Sequence, residues 1–379
     1  MLLQPWREIM EDFEEIAHCG GRIEVFRDGS VGWSGETTSR VALHLIYVLP
    51  GGIPLAVVRI SGGSVLVDKK GGHQPFLGTL RVLIASDKEG YFGRKCPGCN
   101  EYFRSWRVPP YPEVIHCPYC GSVGGSAGFL TDNQKAYVTA LVQEELRALD
   151  AQEDTVIDLD RIAENLQNNR SPFYYSEQRQ QTQVECDKDN CRNRYDIFGL
   201  FGFCPVCGRR NTFQYLRNQL DLLEDRVDNP RFDESDRQNR ENEWRDVIKS
   251  SVSEFEIFAN DLLSQLLTIP AVPRRKQRIQ RISFHNPISA GEELKNLFEI
   301  ELFRGISEDD KHFIHLYFQR RHILEHRGGI ADDEYITKSG DTSVKVGQRV
   351  RIRSSNAENL LTLIREMSNN LFTEWESIS

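Results

Sequence analysis

The spacing of hydrophobic residues along the chain changes from a helical pattern to a β pattern and back. Residues 3–18 carry apolar side chains at helical spacing, which predicts a short amphipathic helix that ends before Gly20. From Arg22 to Phe92, short runs of branched residues alternate with glycine pairs, as is typical of strands joined by tight turns. The predicted strands are IEVF (23–26), VALHLIYVL (41–49), PLAVVRI (54–60), SVLVD (64–68) and LRVLIA (80–85). We therefore predict an N-terminal antiparallel sheet or barrel.

Helical spacing returns after residue 130 and dominates the C-terminal part. Thr131 or Asp132 is the expected N-cap of the first helix there, and Asp158 is the expected start of a second. The segments with helical spacing are 131–169, 213–228, 241–268, 289–304, 308–327 and 355–375. Residues 334–353 have a strand-like pattern instead and predict a β-hairpin inserted among the helices.

The composition is that of a globular protein, with 39% hydrophobic and 10% aromatic residues. No apolar run approaches the roughly 18 residues of a membrane helix. The N-terminus turns acidic within a few residues, unlike a signal peptide. We expect a cytoplasmic protein without a membrane partner, and in that compartment paired cysteines bind metal more often than they form disulfides.

The formal net charge of −9 argues against a protein that binds nucleic acid over its whole surface. Charge acts locally, however, within about 8–10 Å at physiological salt. Residues 272–285 contain five Lys and Arg residues and no acid, in a segment bounded by prolines that is predicted to be a linker. Such charge runs are most often solvated faces or loops.

Eight cysteines form two groups with the spacing of zinc ribbons. The first group is Cys96, Cys99, Cys117 and Cys120, and the second is Cys186, Cys191, Cys204 and Cys207. In the first, Cys96-Pro-Gly-Cys99 and Cys117-Pro-Tyr-Cys120 are separated by seventeen residues, a suitable length for a hairpin. Four thiolates leave zinc no open position for water, so we predict two structural zinc ions.

These patterns together predict a multidomain α+β protein. The predicted parts are a β-rich N-terminal domain (1–93), a first zinc ribbon (94–127), a helical connector (128–182), a second zinc ribbon (183–216) and a C-terminal α-helical bundle with an inserted β-hairpin (217–379).

Basic and aromatic residues surround both cysteine groups. Aromatic rings can stack on bases and cations can hold phosphates, which makes these residues candidates for binding nucleic acid. The candidates are Arg104, Trp106, Arg107, Arg209 and Arg210. The same aromatic residues would also suit a second interpretation, as the small core of each ribbon.

An Arg/His cluster ends the predicted helix 308–327. Arg320, Arg321, His322 and His326 lie in its last turns, and Gly328-Gly329 follows as a stop signal. His322 and His326 are four residues apart and share a helix face. Arg321 is about 140° from His326 on an ideal helix, so a site that uses both requires a loosened last turn or a partner chain. Arg278 and His285 have a similar spacing, but they fall in the predicted linker.

The C-terminal part of the chain, about residues 240–375, resembles the HEPN superfamily. The residues that carry the resemblance are Val252–Glu256 with Phe258 and Leu262, Ser283–Asn286, and Arg321–His326 with Gly329, Asp333 and Tyr335. The resemblance implies a helical bundle, usually dimeric, of a superfamily in which many members are metal-independent ribonucleases of toxin or antiphage systems. It also implies an Arg-x4-6-His site at a dimer interface. The predicted hairpin departs from a plain helical bundle.

This resemblance assigns the catalytic roles to Arg321 and His326, with His322 in the polar position after the arginine. A histidine can move a proton at neutral pH, and a guanidinium can bind two oxygens of a phosphorane. The expected reaction is endonucleolytic cleavage of RNA that leaves a 2′,3′-cyclic phosphate. The expected partners are RNA, which Arg320 would also contact, and a second copy of the chain bound through the C-terminal helices.

Other interpretations of the same residues stay open. The arginines would also complement the dipole at the C-terminus of their helix, with His326 as a bystander. The protein would then be a non-catalytic adaptor that binds protein or nucleic acid. A zinc-ribbon transcription regulator is a third class, although no helix-turn-helix pattern accompanies the ribbons.

Overall fold

The computed structural model describes residues 13–15, 22–25, 31–34, 43–49, 53–60, 80–85, 91–106, 114–151, 153–165, 174–176, 182–232 and 235–378. The chain divides into two compact units, Met1–Asn211 and Thr212–Ser379. The predicted domain boundary between residues 216 and 217 falls inside a helix, Thr212–Asp228. Phe213 and Leu216 of that helix belong to the hydrophobic core of the second unit.

The first unit is built mainly from antiparallel strands. They are β1 (Phe13–Glu15), β2 (Arg22–Val25), β3 (Val31–Ser34), β4 (Leu43–Leu49), β5 (Ile53–Ile60), β6 (Leu80–Ala85), β7 (Phe92–Lys95), β8 (Tyr102–Ser105), β9 (Val114–His116), β10 (Val123–Gly125), β11 (Thr155–Asp158), β12 (Tyr174–Ser176), β13 (Thr182–Glu185) and β14 (Arg194–Ile197). β4 lies between β5 and β6, and β2 lies between β3 and β11. The predicted N-terminal antiparallel sheet is therefore confirmed.

The N-terminal part departs from the predicted elements at its first strand. Residues 13–15 were expected in a helix, but they form β1, which pairs with Tyr174–Ser176. The rest of the predicted helix 3–18, and the predicted strand 64–68, lie outside the described residues. Pairing between strands more than 150 residues apart cannot be read from local spacing, and here it overrides the helical pattern.

The predicted helical connector (128–182) is only partly helical, because it contains the strands β11 and β12 besides α1 (Asp132–Ala151) and α2 (Leu159–Asn165), with a 3-10 turn at Ser126–Phe129 before them. The hydroxyl of Thr131 accepts from Gln134 N at 3.2 Å, and Gln134 Oε1 accepts from Thr131 N at 2.9 Å. This is a reciprocal capping box. Asp158 Oδ1 accepts from Arg161 N at 3.1 Å, so both expected helix starts are confirmed.

The second unit is helical. Its helices are α3 (Thr212–Asp228), α4 (Arg237–Leu266), α5 (Pro273–Gln280), α6 (Pro287–Phe298), α7 (Glu308–His326), α8 (Asp333–Ser339) and α9 (Ser354–Ile378). The long α4 lies against α3, α7 and α9 around one hydrophobic core. The predicted linker 272–285 contains a helix, α5, which has Pro273 in its first turn. In the described part of the chain, no helix is long and apolar enough to cross a membrane.

The β-hairpin predicted at 334–353 is wrong. Its first residues form α8, because Asp332 caps the helix by accepting from Tyr335 N at 2.8 Å. Gly340 ends α8 with a φ of 63°. The following loop makes an isolated bridge between Ile330 and Arg349. The helix cap at Asp332, and not the strand-like residue pattern, therefore determines the structure at the start of this segment.

Candidate functional site

The first cysteine group closes into a compact cluster. The sulfurs of Cys96 and Cys120 are 3.7 Å apart, and those of Cys99 and Cys117 are 3.6 Å apart. Cys96 and Cys99 lie on the turn between β7 and β8. Gly121, with a φ of 71°, bonds back to Cys117 O at 3.0 Å and closes the other turn.

The second cysteine group has the same arrangement. The sulfurs of Cys186 and Cys207 are 3.6 Å apart, and so are those of Cys191 and Cys204. Gly208, with a φ of 72°, bonds to Cys204 O at 2.9 Å, as Gly121 does in the first group. The four ligand atoms of each group lie within 4.8 Å of one another.

These distances fit a metal and exclude disulfides. A disulfide joins its sulfurs at about 2.05 Å, and all eight cysteines are free. Four sulfurs at about 2.3 Å from a tetrahedral zinc ion would be about 3.8 Å apart. Both groups are therefore close enough to bind a metal ion and are compatible with zinc.

The two ribbons are not separate sheets. β8, from the first, pairs with β14, from the second, in a four-stranded sheet of order β13-β14-β8-β7. In this sheet Arg104 Nε donates to Asp196 Oδ2 at 2.7 Å, and both side chains are buried. Arg104 is therefore held inside the protein, which overturns its assignment as a nucleic-acid contact.

The other ribbon candidates differ in their surroundings. Phe103 is fully buried against Cys96 and Cys117, so this ring is part of the ribbon core. Trp106 is half-buried, with the Arg194 guanidinium 5.8 Å from its ring centre. Arg209 lies 3.7 Å from Asp187, and Arg210 lies 4.7 Å from the centre of the Phe203 ring. Arg107 lies outside the described residues.

A cavity of about 620 Å³ lies in the C-terminal unit. We call it the C-terminal cleft. Its polar lining comprises Glu256, Ser283, His285, Asn286, His315, Gln319, Arg321, His322, His326, Arg327, Asp332, Glu334, Tyr335 and Lys338. All three predicted catalytic residues, Arg321, His322 and His326, therefore line one cavity of a single chain. The rings of His322 and His326 are 4.9 Å apart, and both residues are exposed.

Three buried rings position the polar groups on one side of the cleft. Phe255 makes edge-on contacts with Phe284 at 5.9 Å and with Phe318 at 6.0 Å. Each ring belongs to an element that also contributes a cleft residue: Glu256 follows Phe255, His285 follows Phe284, and Arg321 lies one turn after Phe318. Such aromatic pairs add about 0.5–1.5 kcal/mol beyond their buried area. The hydrophobic packing therefore brings these three polar residues together.

Glu256 lies between His285 and Arg321 and pairs with both. Its Oε1 lies 2.7 Å from Nδ1 of His285, and its Oε2 lies 3.6 Å from Nη2 of Arg321. Arg321 also donates to Ser253 Oγ at 3.3 Å. Sequence reasoning did not assign Glu256 and His285 to the site, although both lie in segments that carry the family resemblance. Motif spacing pairs His285 with Arg278 rather than with Arg321, and no short motif extends from Arg321 to Glu256 or His285, which lie 65 and 36 residues before it.

Arg320 has a different environment from Arg321, the next residue. Its Nη2 lies 2.8 Å from Asp341 Oδ2 and 2.9 Å from Ser343 Oγ, and its Nη1 donates to Tyr317 at 2.9 Å. The residue is 7% exposed. Its assignment as an RNA contact is therefore corrected to a structural role. Arg278 pairs with Glu293 at 2.9 Å and does not line the cleft.

Comparison with protein-family models, with curated proteins and with solved structures finds no match to this chain.

Proposed function

We propose that the C-terminal cleft is the active site of an RNA endonuclease that works by the HEPN type of mechanism. The observation that carries the proposal is the convergence of Arg321, His322 and His326 on one cavity. Sequence spacing alone left Arg321 and His326 about 140° apart on an ideal helix. A cavity of this size that borders both side chains provides a space in which one phosphodiester could reach them.

The reaction follows from the chemistry of these two side chains. His326 removes the proton from a ribose 2′-hydroxyl, and the oxygen attacks the adjacent phosphorus. Arg321 binds the oxygens of the phosphorane, where negative charge accumulates. The bond between phosphorus and the 5′-oxygen breaks as that oxygen takes up a proton, which leaves a 2′,3′-cyclic phosphate and a 5′-hydroxyl. This mechanism requires no metal ion at the phosphate. A role in a toxin or antiphage system rests on the sequence resemblance alone.

The two cysteine groups are proposed to hold structural zinc. Each provides four sulfurs at distances that suit a tetrahedral zinc ion, which leaves no position for a reacting water. Their role would be to fold the ribbons and to present the half-buried Trp106, Arg209 and Arg210 to nucleic acid. This places the metal outside the chemical step.

The proposal is tested by incubating the purified full chain with total RNA in EDTA and mapping the product ends. We expect cleavage with 2′,3′-cyclic phosphate ends, and a loss of about 10²–10⁴-fold in Arg321→Ala and in His326→Ala. His312→Ala is the matched control, because His312 is an exposed histidine on the same helix that does not line the cleft. Products with 3′-hydroxyl ends, or full activity of Arg321→Ala, would contradict the proposed mechanism, and a wild type that cleaves no RNA would favour the adaptor interpretation.

A further inference from the structure

We infer that His285, held by Glu256, is a second acid–base group of the cleft, so that one chain carries a complete site. The inference rests on the proposed ribonuclease function and adds a residue and a chain assignment to it. Cleavage of RNA in one turnover needs a group that accepts the 2′-hydroxyl proton and another that delivers a proton to the leaving 5′-oxygen. The resemblance to dimeric proteins suggested that the second group comes from a partner chain.

The contact between Glu256 and His285 fixes the tautomer of the histidine. A carboxylate can only accept hydrogen bonds, so Nδ1 of His285, at 2.7 Å from Oε1, must carry the hydrogen. Nε2 is then the nitrogen that is free to exchange a proton with a ligand in the cleft. The Glu256 side chain is 11% exposed, whereas that of His285 is 73% exposed. The ring is therefore accessible to a ligand, and the group that orients it is fixed in the protein.

The Glu256 carboxylate also lies beside Arg321, the proposed phosphate-binding residue. The second oxygen of Glu256 lies 3.6 Å from Nη2 of Arg321, which Ser253 also contacts. A ligand phosphate held by Arg321 would therefore lie beside His285. Another lining histidine, His315, is less suitable because its Nε2 is bound to the carbonyl of Lys338 at 2.9 Å.

With His326 and His285 as the two acid–base groups, the reaction takes up as many protons as it releases. His326 accepts the 2′-hydroxyl proton as the bond from the 2′-oxygen to phosphorus forms. His285, in its protonated form, donates the Nε2 proton to the 5′-oxygen as the bond from phosphorus to that oxygen breaks. One proton is taken and one is given, and exchange with water restores both rings. Glu256 does not touch the substrate and acts as a positioning residue through His285 and Arg321.

A subunit-mixing experiment tests whether the site belongs to one chain. His285→Ala and Arg321→Ala are co-expressed with different tags, and the doubly tagged fraction is assayed on RNA with each variant alone and with the His312→Ala control. We expect each variant to lose about 10²–10⁴-fold, and the mixture to stay inactive, because every chain has one defective residue. A shared site would restore one intact site to each mixed dimer, giving about half of the wild-type activity.

The outcomes separate this inference from the proposed function. If the wild type cleaves RNA and Arg321→Ala does not, then full activity of His285→Ala, or recovery on mixing, overturns the inference alone. A second readout does not depend on cleavage. Long-range ¹H–¹⁵N spectra of the full chain should show the Nδ1–H tautomer for neutral His285, and Glu256→Ala should abolish that preference while Glu256→Gln keeps it. An Nε2–H tautomer in the wild type would also overturn the inference.

Discussion

The guanidinium of Arg320 lies 2.8 Å from the carboxylate of Asp341, and both side chains are at least nine-tenths buried. Arg321, the next residue, is directed to the cleft instead and pairs with Glu256 at 3.6 Å. Two adjacent arginines therefore have separate roles, one in the fold and one in the proposed chemistry.

Arg320→Ala should destabilise the C-terminal unit strongly. Removing one partner of a buried ion pair leaves the other charge without compensation, which typically costs about 3–5 kcal/mol. Arg321→Ala is the matched control and should lose far less stability, because its side chain is more exposed and Glu256 keeps His285 as a partner. Urea unfolding of the two variants measures the difference. Equal stabilities would contradict the separation of roles.

Acid should weaken the same network within a defined pH range. Burial opposes ionisation of Asp341, but hydrogen bonds from Ser343, Tyr335 and Arg320 outweigh it and lower the pKa of Asp341 to about 2. The folded pKa lies below the ordinary value of 3.8, so the stabilisation is complete above about pH 4 and is lost as the pH falls towards 2. The loss amounts to about 2 kcal/mol. The free energy of unfolding of the wild type, measured against pH, should show this decrease at acid pH. Asp341→Asn should not show it.

Zinc content should follow the two cysteine groups. Elemental analysis is expected to find about two zinc ions per chain, and Cys96→Ser or Cys204→Ser should lower the content and cause unfolding or aggregation of the first unit. Both cysteines are fully buried. Cys19→Ser is the control, since Cys19 belongs to neither motif. A wild-type protein that folds without metal would contradict the assignment.

The end of α7 offers a test of backbone strain. Gly328 and Gly329 both have positive φ, at 60° and 82°. A Cβ on Gly329 would lie 3.1 Å from Nη1 of Arg245, whereas one on Gly328 would have none of the described residues within 4 Å apart from its chain neighbours. Gly328→Ala should therefore cost about 1–2 kcal/mol for conformation alone, and Gly329→Ala should cost more. Thermal unfolding of the pair gives the comparison, and the reverse order would disprove the assigned crowding.

The proposed catalytic residues should behave as one unit. If Arg321 and His326 act in the same step, the double alanine variant should be scarcely slower than either single variant. His322→Ala should lose less, because the proposed mechanism gives His322 neither the proton transfer nor the phosphate contact. Single-turnover rates on one RNA oligonucleotide provide the measurement. Additive losses for Arg321→Ala and His326→Ala would mean that the two residues act independently.

Local signals predicted much of the fold, and contacts distant in sequence account for what they missed. The bounds 308–327 were close to the observed Glu308–His326, because the Ser307 cap and the glycine pair are adjacent to the helix they delimit. The cysteine turns were predicted equally well, from the spacing of the cysteines. The burial of Arg320 was not predicted, since it depends on Asp341, twenty-one residues away. The contact between Glu256 and His285 spans twenty-nine residues and depends on the packing of aromatic rings that no motif records.

The sheet shared by the two cysteine groups would couple their metal occupancies. β8 follows the first cysteine turn and β14 follows Cys191, and the two strands are joined by pairing of Tyr195 with Ser105 and by the buried Arg104–Asp196 contact. Loss of the ion from one group would loosen the strand that supports the other. Metal release should therefore be cooperative, with singly loaded chains as a minor species. Metal supply would then determine what fraction of the chains has a folded first unit.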